Sequence, residues 1–551
     1  MKKIQLFIIL ISAFVLLVSC LKKQSNKHIL IPESKVLQEI ALNESKTPVH
    51  PGLPGEIPFW NTFAIRFIYA PAFNFPEIEG AESYKFIIQT ELRDSIISFT
   101  AEKPWVPLSE VWSEIPVGRV KLTVKALKNN EVIGYSGERE FYRASPYKGP
   151  YHAKRMDYGE SAAKLLRYLF NAPYIQYWKL HGDPDPSYGL YCYPSKMFSA
   201  VINGMLLFSE LTEDQTEKNE AIQIALFAAD YLINISEKQS KPLEYFPPTY
   251  TGPIYADMVD EWRGESLADR IMLIYPATAG IAYLDLYDYT QDKKYFDAAI
   301  RIAETYRRIQ LENGTWHLLL FVENGEPVAS NFVIPTGVYQ FLNRLENQYG
   351  VQGYEECLSR AMKWIEENLA NDFNWEGQFE DQKPGDRYMN LSKGQACSYA
   401  LHLFKIAKGD TNKISLAEEI VRFAEDQFVI WENPVPVNEW KISSENWITP
   451  CVLEQYNFYT PVNASSANMI ELFTTTYENT GNTLYLVKAI DLANTLLKVQ
   501  DPESGHYPTY LVSNLLGQEG WINCMVYTAG TVKELNDFLK SLSPDREILL
   551  L

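Results

Sequence analysis

The sequence predicts a mainly α-helical protein in which six helical hairpins close into an (α/α)6 toroid behind a small β-sandwich. Three patterns carry that expectation. Between Pro194 and Asn482 one device recurs five times: a helical stretch opens on small residues, breaks at a short polar turn and returns as a second helix. Connections inside each pair are short, whereas those between pairs are long. Ahead of Tyr158 the apolar residues alternate with period two instead. A repeated hairpin cannot bury its apolar face alone, so neighbours must stack.

At 551 residues the chain is too long for one ordinary domain. Its start combines Lys2-Lys3, an apolar run from Ile4 to Val18, and Leu17-Val18-Ser19-Cys20. The run is too short and wrongly flanked for a membrane-spanning helix, and reads as an export signal over 1–20. A small residue before a cysteine at this point resembles a bacterial lipobox. That resemblance implies a lipid anchor on Cys20 and an exported lipoprotein, outer-membrane-anchored, in the periplasm or at the cell surface. Residues 21–58 are polar and lack strong periodicity, as expected of a tether.

Residues 59–146 form the expected sandwich. Strand patterns run through Phe63-Ala64-Ile65-Arg66-Phe67-Ile68, Tyr84 to Ile88, Ile96 to Phe99, Val120 to Ala126 and Glu138 to Tyr142, with a turn at Asn129-Asn130. The stretch resembles the immunoglobulin or fibronectin-type modules that precede catalytic domains in secreted carbohydrate enzymes. It holds no constellation of acids or histidines, so its expected role is structural. Ser145 to Pro150 is the linker.

Residues 151–545 form the expected toroid. A helix near 158–178 is followed by pairs beginning at Pro194, near 269, 334, 390 and 463, and by a last helix near 521–541. Proline suits the first helical turn, where its missing N–H is no loss, and Pro194, Pro276, Pro335 and Pro461 mark the openings. Tyr289-Thr290-Gln291-Asp292, Lys408-Gly409-Asp410 and Asn479-Thr480-Gly481-Asn482 are the turns. The long connections must share one rim, where inner helices also present N-termini that favour anions. Chemistry is expected there.

Net charge is −19, which disfavours nucleic acid and acidic membrane surfaces as partners; membrane contact is expected through the lipid anchor alone. Besides Cys20, five scattered cysteines with no C-x-x-C argue against a disulfide framework and a zinc knuckle, and neither metal nor cofactor is expected. Zincin, nucleophile-elbow and phosphate-loop motifs are lacking too. A homodimer is left open.

The rim loops are dense in acids and aromatics. Glycosidic cleavage needs two carboxyl groups across the bond, one desolvated enough to stay protonated near neutral pH. Glu454, within Glu454-Gln455-Tyr456-Asn457-Phe458-Tyr459, and Asp386, beside Arg387, are candidates. Arg263 and Arg387 suit a uronate carboxylate. Trp316, His317, Trp447, Tyr456, Tyr459, Tyr191 and His506 are candidates for lining sugar subsites.

Asp269-Arg270-Ile271-Met272-Leu273-Ile274-Tyr275-Pro276, continuing through Tyr289-Thr290-Gln291-Asp292-Lys293-Lys294-Tyr295-Phe296, resembles a segment of the unsaturated glucuronyl and rhamnogalacturonyl hydrolases, which are six-hairpin glycosidases. The family's general acid/base, an aspartate seven residues before such a proline, maps onto Asp269. Its second aspartate is not matched: Tyr188-Gly189-Leu190-Tyr191 stands there, with Asp183 and Asp185 the nearest acids. The Gly-Asn-Gly-Trp signature is missing near Asn331 to Thr336. A relative acting on saturated uronosides, similar to bacterial β-glucuronidases of this fold, is therefore expected.

The resulting expectation is an exo-acting glycoside hydrolase that removes a terminal uronic acid, glucuronic above all, from a polysaccharide or its fragments. Asp269 would act with Glu454 or Asp386. Two alternatives use the same parts: a uronate lyase or C5-epimerase working through Tyr456, Tyr459 and His506, and a non-catalytic glycan-binding lipoprotein.

Overall fold

The computed structural model describes residues 30–49, 60–91, 93–251, 267–382, 385–432, 446–516, 520–542 and 549–550. Cys20 lies outside them, as does Arg263. The strand β1 (Leu30–Ile31) pairs in parallel with the last described strand, Leu549–Leu550. Helix α1 (Ser34–Glu44) buries Leu37 and Ala41, one turn apart, in the main core. Gln38 donates to the Lys148 carbonyl at 2.7 Å, and Asn482 donates to Glu44 at 2.9 Å. Where a tether was expected, this stretch carries a short helix whose apolar face packs on the toroid.

The period-two runs become β2 (Arg66–Phe67), β3 (Ser83–Thr90), β4 (Arg93–Ala101), β5 (Gly118–Lys128) and β6 (Glu131–Arg143). They form one sheet in the order β2-β6-β5-β3-β4, antiparallel except between β2 and β6. Asn129 and Asn130 both take positive φ, the geometry a tight β5–β6 hairpin needs. Tyr84, Phe86 and Ile88 face the same core as Val120, Leu122, Val124 and Ala126. No second sheet faces them among the described residues, so the expected sandwich is corrected to a single covered sheet. Its cover is chain outside the sheet carrying Phe73, Phe75, Leu108, Val111 and Trp112. Pro71, Pro76, Pro104, Pro107 and Pro116 fall in that chain, and residues without an N–H do not build ladders.

Helix α2 (Tyr158–Asn171) starts on Asp157, whose side chain accepts from the N–H groups of Gly159 and Glu160. The helix expected over 158–178 breaks at Ala172, which is extended before Pro173, and resumes as α3 (Pro173–His181). There follow α4 (Pro194–Leu211) and α5 (Gln215–Ile235), α6 (Tyr275–Thr290) and α7 (Lys293–Ile309), α8 (Thr336–Tyr349) and α9 (Glu355–Asn368). Then come α10 (Gly394–Ala407) and α11 (Thr411–Phe428), α12 (Asn463–Thr480) and α13 (Thr483–Val499), and α14 (Ile522–Leu542). The polar turns work as read: Gln291, Lys408 and Gly481 take the left-handed conformation that ends one helix, and Asp292, Asp410 and Asn482 cap the next.

Helices α4, α6, α8, α10, α12 and α14 each touch the next, and α14 returns to α4, closing an inner ring. Outside it, α5, α7, α9, α11 and α13 each pack on their hairpin partner, and α2 packs on α14. The architecture is an (α/α)6 toroid. Inner helices begin, and outer helices end, on one rim. Two small ladders brace it: β7 (Arg270–Met272) with β8 (Leu319–Phe321), and β9 (Val429–Ile430) with β10 (Cys451–Val452).

The sheet is bolted to the toroid by buried polar groups. Arg66 donates to the carbonyls of Asp426 (2.7 Å) and Val429 (3.0 Å), while Asp426 accepts from the N–H groups of Ile68 (2.5 Å) and Tyr69 (2.9 Å). Tyr69 and Lys488 both donate to Glu425.

Candidate active site

The mouth of the toroid is built from the first turns of the inner helices and the connections above them. Lys196, in the first turn of α4, sets its ammonium 2.5 Å from Oε1 of Glu380, a fully buried residue of the α9–α10 connection. Tyr275, at the start of α6, donates a short hydrogen bond to the other Glu380 oxygen, and Tyr250 donates to the Glu380 carbonyl at 3.0 Å. Burial pulls Lys196 down, but the adjacent Glu380 and Asp381 carboxylates more than reverse this and hold the ammonium above the ordinary lysine range. Burial, and then Glu380, push the Tyr275 hydroxyl well up. The Lys196 ammonium also lies 4.4 Å from the ring centroid of the half-buried Trp521, which stacks on Tyr193.

Glu454, from the α11–α12 connection, faces the same space. Lys393, immediately before α10, donates to the Glu454 carbonyl (3.2 Å) and, more closely, to Ser465 in the first turn of α12. Burial lowers Lys393 to about 8 against the pull of Glu454. Burial raises the Glu454 carboxyl, with Lys393 and Lys196 acting against it. Gln455 donates to Glu454 (3.2 Å) and accepts from Asn390 (2.7 Å), which fixes the loop. Tyr510, a partly exposed residue against Phe458, is pushed to about 12 by burial and by Glu454. A partly accessible carboxyl raised by burial is suited to giving a proton to a leaving oxygen, and the exposed faces of Trp521 and Tyr510 suit a sugar ring.

The residues expected from the sequence separate. Glu454 lies in the mouth. Asp269 does not start a helix: it sits in the turn before β7, its side chain 61% exposed and paired to Arg270 at 3.1 Å. Such exposure does not supply the desolvation its expected role requires. Asp386 is exposed and lines a separate cleft with Arg387, whose guanidinium is held by Asp372 and lies over the Tyr388 ring. Asp269, Arg387 and Glu454 thus share a rim, but each is held by different partners.

Most expected subsite aromatics are core. Trp316 is fully buried, donating to the Tyr306 carbonyl, and Tyr191 is fully buried between Trp178 and the Tyr174 carbonyl. Trp447 packs near Tyr459, and both are buried. Tyr456 donates to Gln427, beside the junction with the sheet. His506 is buried against Tyr168, and burial lowers its pKa; His317 stacks on Phe332. Trp316, Tyr191, Trp447, Tyr459 and His506 turn inward because these loops have their own core to fill, while Tyr456 and His317 are half-buried.

Lys196, Tyr275, Glu380, Lys393 and Trp521 carried no expected role. One signal was available: Lys196 and Lys393 place cations at helix N-termini, where the dipole disfavours them. A local rule broken twice at the same rim marks a site. No group of three or more His, Cys, Asp or Glu side chains is placed to hold a metal among the described residues. Nor is any described helix long and apolar enough to cross a membrane.

No family model matches the chain, and no curated protein does. Solved structures resemble it at low identity. A family 76 glycoside hydrolase from a bovine Bacteroides thetaiotaomicron strain is 12% identical over 83% of this chain and 93% of its own, with a TM-score of 0.46. An unsaturated glucuronyl hydrolase specific for heparin is 11% identical over 70% and 97%, at 0.43. A D-mannose isomerase is 12% identical over 69% and 97%, at 0.48.

Proposed function

We propose that the protein is an exo-acting glycoside hydrolase that removes a terminal uronic acid, glucuronic above all, from a glycan, with Glu454 as the general acid. The observation that carries the reading is the Glu454 carboxyl, raised by burial beside Trp521 and Tyr510 in the mouth of a closed toroid. Asp381, which acts electrostatically on Lys196 and Tyr510, is the candidate for the second carboxylate. Lys196, Lys393 and the inner-helix N-termini supply the positive side of a mouth that takes a uronate. A lyase or epimerase needs a base for the C5 proton. Both Tyr510 and Tyr275 are pushed the wrong way for that, which leaves such chemistry to Lys393, buried and held by Ser465, whereas Glu454 is shifted in the direction a general acid requires. The export signal and Cys20 support an exported lipoprotein.

The test is a panel of aryl and oligosaccharide uronosides, saturated and unsaturated, followed by reducing ends and by ultraviolet absorbance. Glu454→Gln should lower kcat by about 10²–10⁴ with KM little changed. Turnover of neutral glycosides alone removes the uronate, and full activity in Glu454→Gln removes the assigned acid.

A further inference from the structure

Beside the mouth, on the same rim, lies a second cleft of about 630 Å³ between the connection that precedes α8 and the one that precedes α10. Its walls carry Asn331, Phe332, Trp364, Asn374, Glu376 and Arg387. Trp364 meets the Phe332 ring edge-on, and that ring is backed by His317. Asn331 donates to Glu376 at 2.9 Å and to the Gly385 carbonyl at 3.2 Å. Arg387 is tethered by Asp372 yet remains 52% exposed. Aromatic edges, side-chain amides, a carboxyl and an exposed guanidinium around one concave space are the groups that recognise a polyhydroxylated ring.

The cleft is built on the frame of the mouth. Glu376 and Glu380 are four residues apart on one chain segment, so their Cα atoms are separated by at most ~14 Å. Residues 375–377 run antiparallel to 390–392: Gly377 N–H donates to the Asn390 carbonyl at 2.6 Å and Ser392 N–H to the Trp375 carbonyl at 2.9 Å. Ser392 in turn donates to the Glu454 carbonyl at 3.0 Å, and Lys393 follows it directly. One short hairpin therefore carries Glu376 into the cleft and holds Glu454 in the mouth.

We propose that this cleft binds the leaving-group side of the substrate, the sugar residues that follow the terminal one. This rests on the glycosidase reading, and makes the protein an enzyme for oligosaccharides and chain ends in preference to small aryl glycosides. The test uses Ser330→Trp, an exposed position at the lip of the cleft that a large ring would fill, together with Asn331→Ala, which releases Glu376 and the Gly385 carbonyl that shape its wall. The substrates are an aryl glucuronide and a ladder of glucuronate-terminated oligosaccharides of increasing length. In the wild type kcat/KM should climb with length. In both variants the ratio of kcat/KM for the longest oligosaccharide to that for the aryl glucuronide should fall about tenfold. An unchanged ratio in both overturns the proposal. Calorimetric titration with the longest oligosaccharide separates the two readings. If no uronoside is turned over, weaker binding in Ser330→Trp still supports the cleft while the hydrolase reading fails. Equal binding overturns the cleft.

Discussion

Lys393 shows how the mouth departs from local rules. Its cation stands at a helix N-terminus and in the protein interior, both unfavourable, and burial lowers its pKa from 10.5 to about 8. Between those values the unfolded chain holds more protons than the folded one, so stability rises with pH across that window. Lys393→Met should remove the rise, on the order of 1–3 kcal/mol, in urea melts taken between about pH 7 and about pH 10. A slope unchanged in the variant would show that Lys393 titrates normally. Glu454 was legible as an acid ahead of an inner helix, whereas Glu380 was not. A carboxylate four residues past Glu376 acquires meaning only when Lys196 and Tyr275, far away in sequence, close on it.

Turns and caps were readable because they are local. Asp410 accepts from the N–H groups of Asn412 and Lys413, and Asp410→Ala should cost about 1 kcal/mol by thermal melting. The closeness of the inner helices is a different matter. A Cβ added at Gly280 in α6 would stand 2.4 Å from the Phe341 ring of α8, so Gly280→Ala must push the two helices apart. The expected loss is about 1–3 kcal/mol, read as a lower urea midpoint with an unchanged m-value. A neutral result would mean that Phe341 has room to turn. The break at Ala172 and the start of α6 at Tyr275 were misplaced for related reasons. One proline decided the first, and the ladder of β7 with β8 took the residues before Tyr275 out of the helix.

The sheet and the toroid behave as one body through Arg66, Asp426, Glu425 and Lys488. Arg66→Ala leaves the Asp426 and Val429 carbonyls without their donor and Asp426 without its cation, a loss of about 3–5 kcal/mol. Calorimetry should then resolve the sheet as a separate, earlier transition. A single transition at the original temperature would show that the apolar contacts suffice. Burial pushes Asp426 up to about 7, above its ordinary 3.8, so the folded form holds the extra proton. That contribution is complete below about pH 4 and is lost as pH rises through about 7, and Asp426→Asn should flatten this part of the stability profile. At this scale too the leading segment became part of the fold, because Leu37 and Ala41 find a face on α13 that no local pattern announces.

Periodicity, proline openings, capping turns and unequal connections are properties of neighbours along the chain, and they sufficed for twelve paired helices, one mouth and a preceding sheet. Which aromatic rings fill loop cores, which acid stays exposed and which lysines meet which carboxylates depended on contacts between residues remote in sequence. Those contacts form only when the ring closes. Burial, which converts an ordinary carboxyl or ammonium into a reactive one, is a property of that closed packing and of nothing shorter.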